Sequence, residues 1–249
     1  MSGVRYEVAA GVATLTMDEP ENRNALSPSL VDGLGDGLSA AVADGAVRAI
    51  VLTGEGGTFC AGADLRPAGG AVARHTFPEL LAMILDAPKP VVARIGGHCV
   101  GGGVGLAAAC DLSIAAEHVR FGFTEVRLGV APAMISVVCL PKLRRADAAE
   151  LFLTGRRFPA ARAAEIGLIT RAVRAEELGE AVEEVLGELV AGGPAALAAS
   201  KELLARVPAM DRDAAFAYTA ELSQRLFGSP EAAEGISAFR ERRPPRWVP

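Results

Sequence analysis

The sequence predicts an α/β fold with a mostly parallel sheet, followed by a helical C-terminal region. In the first half, short apolar and β-branched runs alternate with helical stretches, which is typical of βα units. The runs at 49–53 and 91–95 are almost wholly apolar, as expected for strands covered on both faces. From residue 132 onward helical patterns dominate. These three observations predict a sheet-containing core at 1–190 and a helical C-terminal region at 191–249, to which the apolar residues and the resemblance described below assign oligomerisation.

The first half is predicted to open with a hairpin, because two strand-like runs are joined by the turn-like pair Ala10 and Gly11. A helix is expected after Ser27 and Pro28, since serine is a favoured N-cap and proline fits the first helical turn. The next helix should end before the prolines at 88 and 90. The predicted strands are 5–8, 12–17, 49–53, 91–95 and 112–115, and the predicted helices are 28–43, 78–86 and 101–110.

The second half is predicted to be helical apart from one strand at 168–173. Asp211 and Ser229 are suitable N-caps for two of these helices. The predicted helices are 132–143, 146–153, 160–166, 175–190, 194–206, 211–227 and 230–240. The helices near the C-terminus carry more apolar side chains than a thin appendage can bury on itself, which predicts subunit association. These side chains are Val185, Leu189, Leu197, Leu203, Leu204, Phe216, Leu222 and Leu226.

Length and composition exclude several classes of protein. The chain has 249 residues, 51% hydrophobic and 22% charged, so it can bury a core without disulfides and is neither disordered nor fibrous. A formal net charge of −5 argues against a nucleic-acid partner and against charge-driven binding to anionic lipid. No apolar run is long enough for a membrane span and no leader segment is recognisable, so a cytoplasmic protein without a membrane partner is expected.

No metal or nucleotide cofactor is expected. The four cysteines and three histidines are scattered along the chain, so no zinc-ligand spacing is present. The glycine clusters fit neither the dinucleotide fingerprint nor the phosphate-binding P-loop. The sequence therefore predicts chemistry carried out by protein groups and the substrate alone.

Two glycine-rich segments are the main functional signals. Residues 59–65 (FCAGADL) and 96–106 (GGHCVGGGVGL) each follow a predicted strand, and the second opens a helix. Small side chains let a ligand approach backbone amides closely, and free amides at a helix start favour an oxyanion. Together the segments suggest a two-donor oxyanion hole, whereas a glycine cluster that stands alone between two elements is more often an ordinary turn.

The order of motifs resembles the enoyl-CoA hydratase/isomerase (crotonase) superfamily over nearly the whole chain. The matching segments are NRNAL at 22–26, FCAGADL at 59–65, KPVVARIGGHCVGGGVGLAAACDLSIAAE at 89–117, FGFTEVRLGVAP at 121–132, LTGRRFPAARAAEIGLI at 153–169 and EGISAFRERR at 234–243. The resemblance implies a spiral of ββα turns that binds acyl-CoA, with a C-terminal helical trimerisation region. It also implies an acyl-CoA thioester substrate and a homotrimer or hexamer.

Carried over by position, the resemblance implies that the backbone amides of Ala63 and Gly102 hold the thioester oxygen as it becomes an enolate. It places Glu125 at one of the family's two catalytic glutamate positions. The second glutamate position is Gly105, which departs from the two-carboxylate hydratases. The alternative for Glu125 is a solvated carboxylate or one paired with Arg127.

Further substrate-binding positions follow from the same resemblance. Arg23 is expected near a CoA phosphate, although an exposed arginine in a charged loop is equally common. Met134 and its neighbour Ile135 stand where many members carry glycine, so they either reshape the acyl pocket or pack in the core. The remaining expected positions flank the oxyanion hole and are Ala61, Asp64, Leu65 and Gly101.

The expected activity is hydration of a 2-enoyl-CoA, with a branched or glutaconyl-type acyl group as one option because similar motifs occur in such hydratases. Isomerisation of a 3-enoyl-CoA is the alternative, since a single glutamate suffices to move a proton between C2 and C4. A noncatalytic acyl-CoA-binding protein is the third reading, motivated by Gly105. The sequence leaves chain length, pathway and the choice between trimer and hexamer open.

Overall fold

The computed structural model describes residues 3–66 and 73–248. Within these residues ten strands form two sheets. The strands are β1 (Val4–Ala9), β2 (Val12–Met17), β3 (Ala49–Gly54), β4 (Thr58–Cys60), β5 (Val91–Ile95), β6 (His98–Val100), β7 (Leu112–Ala116), β8 (Arg120–Gly122), β9 (Arg157–Pro159) and β10 (Arg171–Val173). The larger sheet has the order β1-β2-β3-β5-β7-β10 and the smaller one the order β4-β6-β8-β9.

Most strand pairs are parallel, as predicted. In the larger sheet only the β1–β2 hairpin is antiparallel, and its turn uses Ala10 and Gly11 with φ values of 47° and 77°. In the smaller sheet β4, β6 and β8 are parallel to one another and β9 is antiparallel to β8. The hairpin and the mostly parallel sheet are therefore confirmed.

The described residues contain ten α-helices. They are α1 (Pro28–Ala43), α2 (Phe77–Asp86), α3 (Gly102–Ala109), α4 (Ala133–Cys139), α5 (Arg145–Thr154), α6 (Ala160–Glu165), α7 (Leu178–Ala191), α8 (Pro194–Arg206), α9 (Arg212–Phe227) and α10 (Pro230–Glu241). None of the helices seen in these residues is both long enough and apolar enough to cross a membrane.

Three consecutive turns of the chain repeat one pattern. β3, β5 and β7 each lie in the larger sheet, and each is followed by a short strand, β4, β6 or β8, in the smaller sheet. A helix, α2, α3 or α4, follows each short strand. Each turn thus adds one parallel strand to both sheets. This is the spiral of ββα turns that the sequence resemblance implies.

The predicted helix boundaries agree with local capping. The Ser27 side chain accepts a hydrogen bond from the Leu30 amide at the start of α1. Thr76 and Glu79 form a reciprocal capping box at the start of α2. The predicted helix at 132–143 is shorter than expected, because α4 ends at Cys139 and a 3-10 turn containing Pro141 follows. Proline lacks the amide that would continue the α-helical hydrogen bonding.

The smaller sheet was not predicted. Its four strands have three residues each, and β6 lies inside a segment that the sequence analysis assigned to a glycine-rich loop. β9 corrects the expectation of a single strand after residue 132. So short a strand shows no recognisable alternation of polar and apolar residues, and its pairing partners are distant in sequence.

The C-terminal helices partly bury the apolar residues assigned to association. Val185 and Leu222 are buried within the chain, whereas Leu204 and Phe216 are 77% and 69% exposed. Exposed aromatic side chains are also found at Phe227 and Phe239. The exposed apolar surface of α8–α10 thus includes only some of the predicted residues, and Phe227, Ile236 and Phe239 add to it. The boundary at residue 190 stays a prediction.

Candidate active site

The two glycine-rich segments meet at one edge of the smaller sheet. β4 and β6 are parallel neighbours, so the chain leaves both strands at the same edge. A methyl group built on Gly62 would lie 3.0 Å from the amide nitrogen of Gly102. Gly62 and Gly101 have φ values of +85° and +55°, a backbone conformation that side chains disfavour. Glycine at these positions allows the two backbones to touch.

Two backbone amides are available at this contact. Gly102 is the first residue of α3, and the amides of a first helical turn have no acceptor within the helix. Ala63 forms a parallel bridge with Leu26, in which the Leu26 amide donates to the carbonyl of Gly62 at 2.8 Å. The amides of an extended segment alternate in direction, so the bridge leaves the amide of Ala63 free. Two donors that can serve a developing oxyanion therefore lie on adjoining segments.

Glu125 reaches the same place from the third turn of the spiral. β8 pairs with β6, and a 3-10 turn (Thr124–Leu128) follows it with Glu125 in its first turn. The buried Phe123 holds this segment, because its ring centroid lies 4.3 Å from that of Phe152. A methyl group built on Gly101 would lie 3.5 Å from both the Glu125 Oε1 and the Cα of Gly62. The carboxylate and both glycine segments thus converge.

The carboxylate of Glu125 is poorly solvated. Its Oε2 is buried and has no hydrogen-bond partner among the described residues. Burial raises the pKa of Glu125, and its own backbone amide opposes the shift in part. No ion pair joins Glu125 to Arg127 among the described residues, so the alternative of an Arg127-paired carboxylate is not supported. The side chain is half-buried rather than fully solvated. A half-buried carboxylate with one unpartnered oxygen is suited to accepting and returning a proton.

A cavity of about 380 Å³ opens beside these groups. Its lining is largely apolar, and only Thr124 and Glu125 contribute polar side chains among the residues that the structure places there. Seven of the expected site residues line it: Ala61, Ala63, Leu65, Gly101, Gly102, Glu125 and Met134. A narrow apolar chamber with one carboxylate and two free amides is what proton transfer next to a carbonyl requires.

The structure assigns Arg23 and Asp64 to a different cavity, of about 440 Å³, which shares Leu65 with the first. Asp64 is held by Arg66 and Asn22, and hydrogen bonds from Arg66 lower the pKa of Asp64 to about 2. The acidic group is therefore paired within the chain. Neither residue is brought together with Glu125.

Sequence reasoning did not select Leu26 or Phe77, two apolar residues that shape the chamber together with Ile135. A methyl group on Gly102 would lie 2.5 Å from Leu26 Cδ1 and 3.4 Å from Phe77 Cζ, so these side chains close the wall beside the helix start. Leu26 belongs to a matching motif and could have been selected. Phe77 carries no such signal, and Ile135 was left undecided between pocket and core.

No group of three or more potential metal-ligating side chains occurs in residues 3–66 and 73–248. The thiols of Cys60, Cys99, Cys110 and Cys139 are buried, and burial raises the pKa of each. Such thiols are poor nucleophiles and poor metal ligands. The candidate site therefore offers two backbone amides and the Glu125 carboxylate, with the Thr124 hydroxyl on its wall.

Comparison with known proteins identifies the family of the chain. The family model for enoyl-CoA hydratase/isomerase matches residues 7–248. The chain belongs to the enoyl-CoA hydratase/isomerase family. A Thermus thermophilus protein with the provisional name enoyl-CoA hydratase is 37% identical over 245 residues, covering 95% of this chain and 97% of that protein.

Two further relatives extend the comparison. The 2,3-dehydroadipyl-CoA hydratase of Escherichia coli is 31% identical over 239 residues, covering 94% of each chain. The crystal structure of an enoyl-CoA hydratase/isomerase from Marinobacter aquaeolei is 30% identical, covers 100% of both chains and superposes with a TM-score of 0.92. The predicted enoyl-CoA hydratase/isomerase family and crotonase-like fold are confirmed.

Proposed function

We propose that the protein hydrates a 2-enoyl-CoA thioester, with Ala63 and Gly102 as the oxyanion hole and Glu125 as the single acid/base. The observation that carries this proposal is the unpaired, buried Oε2 of Glu125 beside the two glycine segments. A carboxylate oxygen buried without a hydrogen-bond partner costs free energy, which favours a chemical task for Glu125.

The reaction needs only these groups. Glu125 takes a proton from a water molecule as the water oxygen bonds to C3 of the enoyl group. The C2–C3 π electrons move toward the thioester, and the amides of Ala63 and Gly102 stabilise the resulting enolate oxygen. Each donor of this kind is worth about 3–4 kcal/mol in the transition state. Glu125 then returns the proton to C2, so one water is added and the carboxylate is regenerated.

Isomerisation of a 3-enoyl-CoA is the second candidate. The observation that favours it is Gly105, which supplies no carboxylate, together with a chamber wall that is apolar apart from Thr124 and Glu125. In this reaction Glu125 removes a proton from C2 and returns it to C4, while the same amides hold the enolate. One carboxylate completes both steps.

The apolar chamber supports an uncharged acyl group. Among the described residues that line it there is no lysine or arginine, and a buried carboxylate would need such a partner. The Escherichia coli relative is named for a dehydroadipyl substrate, whose acyl chain ends in a second carboxylate. We infer that this chain prefers a hydrocarbon chain, straight or branched, over a glutaconyl-type substrate.

The remaining expectations belong to the same proposal. Arg23 is exposed in the neighbouring cavity and forms no ion pair within the described residues, which is compatible with a phosphate of CoA. The exposed side chains of Leu204, Phe216, Phe227 and Phe239 support a homotrimer or hexamer. We propose a cytoplasmic enzyme that needs no metal and no cofactor other than the CoA carried by its substrate.

The deciding experiment is a screen of the purified protein against 2-enoyl, 3-enoyl and glutaconyl-type CoA esters, with products resolved by mass. A gain of one water mass identifies hydration. An unchanged mass with a displaced double bond identifies isomerisation instead. Saturated esters serve as binding controls, and failure to convert any unsaturated ester would contradict the proposed function.

A further inference from the structure

Position 105 lies against Ile135 in a way that leaves no room for a side chain. Gly105 is buried on α3, three residues after Gly102, and therefore on nearly the same helix face. A methyl group built on it would lie 2.3 Å from Ile135 Cγ2 and 3.0 Å from Ile135 Cβ. The backbone of Gly105 is outside the left-handed region, so packing rather than conformation requires glycine here.

Ile135 lies between this position and the chamber. It is 3% exposed on α4 and lines the chamber, whereas Gly105 does not. Isoleucine has one strongly preferred χ1 rotamer in a helix, so its Cγ2 cannot swing aside freely. Phe77 Cζ lies 3.5 Å from the same methyl position, so a second large side chain borders this space.

We propose that Ile135 determines the substrate specificity of the site. It fills the space that a polar side chain at position 105 would occupy, so Glu125 remains the sole carboxylate. This inference rests on the function proposed above. A water molecule in the chamber then has one carboxylate to orient it, and the carbon chain of the substrate meets the apolar Ile135. Removing Ile135 makes room for a second carboxylate at position 105.

The packing part is tested by a double-mutant cycle that needs no substrate. Gly105→Ala is expected to lower the melting temperature by at least about 5 °C, because overpacking a tight core is destabilising. In an Ile135→Gly background the same change should lower it by less than about 2 °C. Val138→Gly is the matched control, since Val138 is a buried β-branched residue of α4 outside the chamber lining. In that background the full loss of at least about 5 °C should remain.

The chemical part is tested with crotonyl-CoA as the probe. Gly105→Glu combined with Ile135→Gly is expected to raise kcat/KM for hydration at least about 10-fold over Ile135→Gly alone. A second enzyme ionisation should enter the pH profile. Gly105→Glu alone should give no such gain, and Gly105→Gln with Ile135→Gly should add neither the rate nor the ionisation.

The results distinguish the packing of Ile135 against position 105 from the role of Ile135 in specificity. Equal losses from Gly105→Ala with and without Ile135 would overturn the packing argument, as would a gain in hydration from Gly105→Glu alone. A folded double variant without a gain in rate would overturn the specificity role. If the natural protein converts none of the enoyl-CoA esters, the proposed function fails, while the melting-temperature cycle still decides whether Ile135 blocks position 105.

Discussion

The contact between the glycine segments makes Gly62→Ala the sharpest test of the proposed oxyanion hole. The new methyl group would lie 3.0 Å from the amide nitrogen of Gly102 and 3.1 Å from the carbonyl oxygen of Val100. Both neighbours are backbone atoms and cannot turn aside as a flexible side chain would. Relief requires the two segments to separate, and separation would move the Gly102 amide relative to that of Ala63.

The expected magnitude has two parts. A φ of +85° costs a side chain about 1–2 kcal/mol, and overpacking against backbone costs about 1–3 kcal/mol. The combined destabilisation of about 2–5 kcal/mol corresponds to a fall in Tm of roughly 5–15 °C for a chain of this size. Loss of one oxyanion donor should lower kcat by about 10²–10³-fold.

Two matched variants separate these parts. Gly129→Ala carries the backbone strain alone, because Gly129 has a φ of +79° and no atom within 4 Å of the added methyl group. Gly57→Ala carries neither, since its methyl position is also open and its φ is not positive. Melting curves and steady-state rates on the best CoA ester compare the three. If Gly62→Ala loses stability only to the extent of Gly129→Ala and keeps kcat within about 3-fold, the two segments do not form a shared oxyanion hole.

Four further outcomes are expected. Glu125→Gln should lower kcat by about 10²–10⁴-fold yet raise Tm at neutral pH. The control Glu188→Gln, on the exposed face of α7, should change neither kcat nor Tm. Near-normal turnover by Glu125→Gln would refute the assignment of Glu125 as the acid/base. The acid limb of kcat/KM should have its midpoint above 4.5, the ordinary pKa of a glutamate, because burial raises the pKa of Glu125. For the same reason the folded state favours the protonated carboxyl. The contribution of Glu125 to the free energy of unfolding is therefore complete below its unfolded-state pKa and is lost as the pH rises through its folded-state pKa. Treatment with EDTA should leave turnover unchanged, and restoration of lost activity by zinc or magnesium would contradict the metal-free proposal. Glu234→Gln should shift the emission of Trp247, the chain's one tryptophan, to longer wavelength, since Glu234 binds Arg243 and the amide of Arg246 next to it; unchanged emission would show that Glu234 does not anchor this end of the chain.

The chain's own local signals determined most of the larger sheet and the helices around it. β2, β5 and α8 occupy the predicted residues, because apolar periodicity and capping residues act over a few neighbours along the chain. Ser27 illustrates this, since its side chain caps α1 in the structure as its sequence position predicts. The ordered motifs further identified the family and selected Ala63, Gly102 and Glu125.

Only the tertiary structure decided how these residues meet. The smaller sheet, whose short strands bring the segments after β4, β6 and β8 to one edge, joins parts of the chain about forty and twenty residues apart, such as Thr58 and His98, or Val100 and Gly122. Such pairing depends on long-range contacts that three-residue strands do not encode locally. The tertiary structure also places Arg23 in the neighbouring cavity rather than in the chamber.

The same distinction explains position 105. The sequence shows a glycine there and an isoleucine thirty residues later, each compatible with several roles. The contact of α3 with α4 brings them together, so that Ile135 fills the space in which a side chain at position 105 would lie. Local sequence determined the helices that carry the two residues, whereas close packing between those helices, which depends on distance in space, determined that no side chain fits at position 105.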